Sequence, residues 1–185
     1  MYQIIFRLII LCFRGGKRKR LLLGYYRLIN QLDSQPVWQV RVRILKALGA
    51  TIGKNVVFRP GVIFDNPEKI MIGDNVSINH RCYLSAAGNL RIGSNVSIAH
   101  DCSIMSSTHS FENESNIRTA PLRYAPVLIG SNVWIGMKTA ILLGVAIGDN
   151  TVIGACSLVN KPLPGNGVYV GIPAKQIKSI TQDSN

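Results

Sequence analysis

Large apolar residues recur every six positions through most of this chain. The series runs Ile52, Phe58, Phe64, then Ile72, Ile78, Leu84, then Ile92, Ile98, Ile104. After a break it resumes as Ile129, Ile135, Ile141, Ile147, Ile153 and Val159. Eleven of these fifteen anchors are Ile. The next residue is often Gly, and four places on comes a small or β-branched residue, as at Val56, Val76, Val96, Thr108, Val133, Thr139, Val145 and Thr151. A fixed short period is the signature of a solenoid. Six residues match neither the 3.6 period of a helix nor simple strand alternation. They suit a short strand and a tight corner, so three steps close a triangular coil whose anchors stack inward. Corner triplets such as Gly73-Asp74-Asn75 and Gly148-Asp149-Asn150 tolerate positive φ. Ordinary amphipathic strands in a sandwich would not keep one phase across so many steps.

The phase also locates interruptions. The steps from Phe64 to Ile72 and from Leu84 to Ile92 are eight residues, which calls for a two-residue bulge at one corner. Between Ile104 and Ile129 the step is twenty-five, leaving a polar excursion over residues 109–126 that holds two prolines. Solenoid corners accept insertions, and these often carry function.

The charge is uneven. Residues 1–50 hold ten Lys/Arg and one Asp, a balance of +9, whereas residues 51–185 hold eleven Lys/Arg and eight Asp/Glu, a balance of +3. The N-terminal apolar run YQIIFRLIILCF is interrupted by Arg7. It is shorter than the roughly twenty apolar residues a membrane-spanning helix needs. It also lacks a signal-peptide pattern. Two readings stay open. Residues 1–27 lie on an anionic membrane surface with Lys17, Arg18, Lys19 and Arg20 at the headgroups. Alternatively, helices cap the open end of the coil. Residues 37–48 read as such a cap helix, stopped by Gly49. No nucleic-acid motif is present, so nucleic acid is the weakest partner for the basic charge. Four cysteines without a CxxC pair suit a reducing cytoplasm and no metal site, and Cys82, Cys102 and Cys156 read as small core residues. The expected organisation is a basic helical segment at 1–50, a coil at 51–166 and a C-terminal tail at 167–185 carrying a short helix.

The repeat, the phrase IGSNVWIGMKTAILLGVAIGDNTVIGACSLV (residues 129–159) and the ending VYVGIPAKQIK (residues 168–178) resemble the hexapeptide-repeat acyltransferases. Within that family the chain is similar to the maltose and galactoside O-acetyltransferases and to the acetyltransferases of capsule and lipopolysaccharide synthesis. The resemblance covers about residues 45–178. It implies an all-β, left-handed parallel β-helix, a homotrimer with sites between subunits, acetyl-CoA as co-substrate and no metal. Location in the cytoplasm, or at the inner face of its membrane, goes with it.

Moving an acetyl group from a thioester to a hydroxyl needs a base, an oxyanion donor and a site for a phosphate-bearing cofactor. His109, at the start of the excursion, suits the base, while His80 and His100 read as structural. By resemblance, Asn79 holds the acceptor hydroxyl, and Gly136 lies where the backbone approaches the thioester. Ala99 and Ala155 leave room for pantetheine, Trp134 walls the groove, and Lys161, Lys175 and Lys178, with Pro173 of the Gly-Ile-Pro-Ala turn, hold CoA. The sugar-contacting N-terminal section of the maltose and galactoside enzymes has no counterpart in residues 1–44. That absence points to a carrier-linked sugar, hence surface-polysaccharide synthesis. Three alternatives stay open: N-acetylation of an amino sugar, a γ-type carbonic anhydrase and a non-catalytic scaffold. Against the second, that family's last two His ligands are five residues apart, while His100 and His109 are nine apart.

Overall fold

The computed structural model describes residues 1–12, 15–112 and 116–180. Residues 113–115 of the excursion, 181–185 of the tail and 13–14 of the basic segment lie outside the described residues.

From Thr51 onward the chain winds as a three-faced parallel solenoid. On the first face, Ile52, Ile72, Ile92, Ile129 and Ile147 follow one another in register. The second face stacks Phe58, Ile78, Ile98, Ile135, Ile153 and Tyr169. The third stacks Phe64, Leu84, Ile104, Ile141 and Val159. All fifteen anchors are buried. The six-residue period therefore does what its phase requires: each coil buries one large side chain per face on the coil below. Paired backbone groups run up each face, so little polar backbone is left without a partner inside the stack.

The three edges of the prism are built differently. The first edge, between the first and second faces, carries Asn55, Asn75, Asn95, Asn132, Asn150 and Asn166, all with φ between 54° and 59°. Their amides form ladders. Asn55 donates to Asn75 and Asn75 to Asn95 at 3.0 Å, and Asn132 donates to Asn150 at 2.8 Å. Asparagine suits this place because it accepts left-handed backbone and bonds its own copy one coil away. The second edge joins the second and third faces. The third edge returns to the first face and absorbs every irregularity. The two eight-residue steps become a 3-10 turn at Pro67–Lys69 and a turn over residues 86–89.

The long excursion also leaves from the third edge. It opens as an antiparallel ribbon in which Ser107–His109 pairs with Leu122–Tyr124. Thr108, expected to fill a core slot, is instead exposed on this ribbon, because the chain has already left the coil. Ser106 turns inward in its stead. Its hydroxyl donates to Ser85 O at 2.7 Å and accepts from Gly88 N at 2.9 Å.

Three helices close the N-terminal end: α1 (Tyr2–Cys12), α2 (Gly15–Ile29) and α3 (Gln35–Ala47). Helix α3 starts two residues before the expected cap helix and stops where expected, with Gly49 at φ 105°. It presses Val37, Val40, Ile44 and Leu45 onto the first coil. Arg41 is buried with them. Its guanidinium donates to Phe58 O at 2.8 Å, Ile29 O at 2.9 Å and Asn30 O at 3.0 Å, and also to Leu32 O. One cation thus ties the cap to the coil.

Two expectations fail. The C-terminal tail is not a helix: Lys175–Ser179 forms a strand antiparallel to Gly167–Val170, finishing the second face. The last coil would otherwise leave an unpaired sheet edge, and the tail fills it. Cys156 is exposed at a corner with φ 58°, and Ser157 takes the buried slot.

Candidate active site

Four of the candidate residues, Asn79, Ala99, Gly136 and Ala155, fall in a single column. The second edge is made of corner triplets, one per coil. They are Asn79, His80, Arg81, then Ala99, His100, Asp101, then Gly136, Met137, Lys138, then Gly154, Ala155, Cys156. The first member of each donates its N–H to the neighbouring coil: Asn79 to Ile98 O, Ala99 to Ile135 O, Gly136 to Ile153 O and Gly154 to Tyr169 O, at 2.8–2.9 Å. The third member donates back the other way, as Lys138 does to His100 O at 2.9 Å and Cys156 to Met137 O at 2.8 Å. Among the described residues, the N–H groups of the middle members Met137 and Ala155 make no hydrogen bond.

At Gly136 the N–H is spent on this ladder. Gly136 also packs closely, since a Cβ there would stand 2.5 Å from Ala155 N. One residue on, the Met137 N–H is free among the described residues. Met137 and the exposed Lys138 beside it were missed by sequence reasoning. The only signal for either was its place after Gly136.

Asn79 and Ala99 sit lower on the same edge, half-buried. The Asn79 amide donates to Ile98 O at 2.9 Å, leaving its own oxygen free to accept. His80 and His100 stack with ring centroids 5.2 Å apart and planes 5° from parallel. His80 Nε2 lies 3.7 Å from Asp33 of the cap, and Arg81 grips Asp101 through two bonds of 2.7 and 2.9 Å. That guanidinium holds the Asp101 carboxyl below its ordinary range. His80 and His100 thus pack on each other, and His80 also faces the cap.

His109 lies elsewhere, on the third edge at the base of the ribbon, where it pairs with Leu122. Its Nδ1 is 3.4 Å from Ala120 O. A carbonyl oxygen can only accept, so in the tautomer that makes this contact Nδ1 is the donor. The imidazole is exposed. Within one protomer a full face separates His109 from Asn79 and Met137. A site that uses all three has to be completed by a neighbouring chain.

The cofactor candidates divide in the same way. The turn over residues 171–174, which holds Pro173, caps the top of the second edge. There Leu158 donates to Gly171 O at 3.0 Å and Ala174 to Leu158 O at 2.8 Å. Lys175 and Lys178 follow on the last strand of the second face. Lys161 follows the last strand of the third face instead, so the expected lysine cluster is split between edges of one chain. Trp134 points outward from the second face, 57% exposed, over a shallow hollow of about 560 Å³ that Asn95, Asn132, Asn150 and Ile180 also line. A broader hollow of about 870 Å³ on the first face is lined by Met71, Leu128 and Leu163 among others, and by none of the candidate catalytic residues. Among the described residues, no group of three His, Cys, Asp or Glu is placed to hold a metal ion.

Comparison with known proteins places this arrangement among relatives. Residues 126–161 match the family profile "Bacterial transferase hexapeptide (six repeats)". The chain is 33% identical over 168 residues, covering 90% of each sequence, to the Escherichia coli K12 protein named "Putative colanic acid biosynthesis acetyltransferase WcaF". Its fold is similar to that of a maltose O-acetyltransferase from Clostridium difficile 630, at a TM-score of 0.77 and 32% identity, covering 89% of this chain and 87% of that one. It is also similar to a galactoside acetyltransferase solved in complex with coenzyme A, at 0.72 and 31%, covering 91% and 84%.

Proposed function

The chain belongs to the hexapeptide-repeat acyltransferases, and from that premise we propose that it transfers acetyl from acetyl-CoA to a hydroxyl of a sugar. The observation that carries the reading is the exposed imidazole of His109 at the base of the ribbon, with Nδ1 3.4 Å from Ala120 O. The relatives named for O-acetyl transfer to sugars supply the substrate class.

The chemistry runs directly, without an acyl-enzyme. Nε2 of His109 takes the proton from the acceptor hydroxyl as its oxygen attacks the thioester carbon. The oxyanion of the tetrahedral intermediate is met by the N–H of Met137. The C–S bond then breaks, and the imidazolium returns its proton to the departing CoA sulfur. Asn79 orients the acceptor through its free amide oxygen. The pantetheine arm runs along the second edge past the small side chains of Ala99 and Ala155, and Trp134 of the adjoining face walls the groove. Lys175, Lys178 and Lys138 on one side and Lys161 on the other attract the phosphates. Because His109 and the second edge lie a face apart, the working unit is an oligomer, a trimer in this reading, in which one chain's ribbon meets the next chain's second edge. The acceptor is a carrier-linked sugar of surface-polysaccharide synthesis.

The test is acetyl-CoA-dependent thiol release with free sugars, nucleotide sugars, lipid-linked oligosaccharides and amino sugars. Release with hydroxyl acceptors, abolished in His109→Ala, supports the reading. Release only with amino sugars would make the enzyme an N-acetyltransferase. No release with any acceptor, and no thermal stabilisation by acetyl-CoA, would sink the reading.

A further inference from the structure

Helix α1 is apolar apart from Gln3 and Arg7, which are exposed. Inward it buries Ile9 and packs Tyr2, Phe6 and Ile10 against the cap core. Outward it presents Ile4 (62% exposed), Leu8 (53%) and Leu11 (79%) to solvent. Positions 4, 8 and 11 fall on one stripe of a helix of 3.6 residues per turn. On the adjoining α2, Leu21 and Leu28 are exposed as well. A helix with apolar residues on its inward and its outward side is normally covered on both. An apolar patch rimmed by charge marks an interaction surface.

The rim is basic and without counter-charge of its own. Residues 1–32 contain seven Lys/Arg and no Asp or Glu. Arg7, Lys17, Arg20 and Arg27 are exposed beside the stripe. Lys19 has found a partner from the coil, Glu68 at 3.4 Å. A second copy docking through α1 would bring two uncompensated basic rims together. Phospholipid headgroups supply the missing negative charge and the apolar layer beneath it. None of the described helices is long and apolar enough to cross a membrane, so α1 lies along the surface.

We propose that α1 and the basic turns of α2 dock the protein on an anionic bilayer. Ile4, Leu8 and Leu11 enter the acyl boundary, and Lys17 and Arg20 sit among the headgroups. The docking stands on the cap alone. Its consequence, that a lipid-carried acceptor is met where it resides, rests on the acetyltransferase reading.

The experiment is co-sedimentation of the full chain with vesicles of phosphatidylcholine, alone or mixed with phosphatidylglycerol, without acetyl-CoA or acceptor. The result is therefore independent of whether the enzyme reading holds. Each basic residue near an anionic surface raises the partition constant about fivefold, so the mixed vesicles are expected to bind at least tenfold more protein-equivalents than the neutral ones. Leu8→Asp with Leu11→Asp lowers partitioning at least tenfold while the melting temperature holds, since both side chains are exposed. Lys17→Glu with Arg20→Glu removes the preference for anionic vesicles. Absence of binding, equal binding to both vesicle types, or unchanged binding by the Leu8/Leu11 variant would overturn the proposal. So would a Leu8/Leu11 variant that splits a larger oligomer with vesicle binding intact, since a second copy would then be the occupant.

Discussion

The Nδ1 atom of His109 lies 3.4 Å from the carbonyl oxygen of Ala120, across the base of the ribbon that leaves the third edge. The contact links the ring to the return limb of the excursion. A base held in this way is worth about 10²- to 10⁴-fold in rate. His109→Ala is expected to lose that much in kcat while acetyl-CoA still raises the melting temperature. Thiol release and a thermal shift, measured on one preparation, separate the two. A variant that keeps full rate would move the base to another residue.

Met137 is assigned through its backbone, so its side chain should hardly matter. Pro60 occupies the same middle position of the corner one face-turn below the His80 corner, between Arg59 and Gly61. The corner therefore accepts proline. Met137→Pro removes the one N–H offered to the oxyanion and is expected to lower kcat about 10²- to 10³-fold. Met137→Ala is expected to stay within a few-fold of the parent. Equal loss in both variants would show that the side chain, not the N–H, is being read.

The coil was legible because a strict period assigns each residue to a face or a corner before any contact is known. That is why all fifteen anchors are inside. The same phase put Asn79, Ala99, Gly136 and Ala155 at equivalent corners, and they share one edge. Phase does not say which of three consecutive corner N–H groups is spent on the ladder, so the free N–H of Met137 was not legible. It also does not fix the tail. Residues 175–179 look neutral between helix and strand, and the open edge left by Gly167–Val170 decides the matter. Lys161 was grouped with Lys175 and Lys178 by sequence proximity, but a coil turns a face between one strand and the next.

Lys175 and Lys178 act on cofactor capture in this reading, not on the chemical step. Replacing both with Ala is expected to raise the KM for acetyl-CoA several-fold with little change in kcat, the pattern of lost uniform binding. Raising salt should shrink the difference from the parent, since exposed charges are screened over about 10 Å at 0.1 M. Steady-state kinetics at two ionic strengths check both points. A fall in kcat at unchanged KM would remove these lysines from the cofactor site.

Arg41 donates from a buried position to carbonyls of α2, of the α2–α3 connector and of the first coil. Arg41→Ala strands these acceptors without water, at a cost of about 1–3 kcal/mol for each left unmet. The urea midpoint should fall accordingly. Arg41→Lys should recover little, because one ammonium cannot span the fork that the guanidinium spans. Full recovery by Lys would mean that charge alone, not geometry, holds the cap.

Asp33 joins the cap to the second edge by accepting from Trp38 Nε1 at 2.7 Å and from Arg59 at 3.4 Å, with His80 Nε2 3.7 Å away. The Trp38 bond, with help from the charge of Arg59, holds the carboxyl below its ordinary value of 3.8. A depressed acid stabilises the folded state above its unfolded pKa, and that contribution disappears as pH falls through the folded pKa. Asp33→Asn removes the linkage. The parent should therefore exceed the variant in urea midpoint at pH 7 and pH 5, and the two should converge on acidification below the ordinary carboxylate range. Urea titrations followed by tryptophan fluorescence at each pH provide the measurement. A gap that stays constant from neutral to strongly acid solution would mean that the Asp33 charge contributes nothing to holding the cap against the coil.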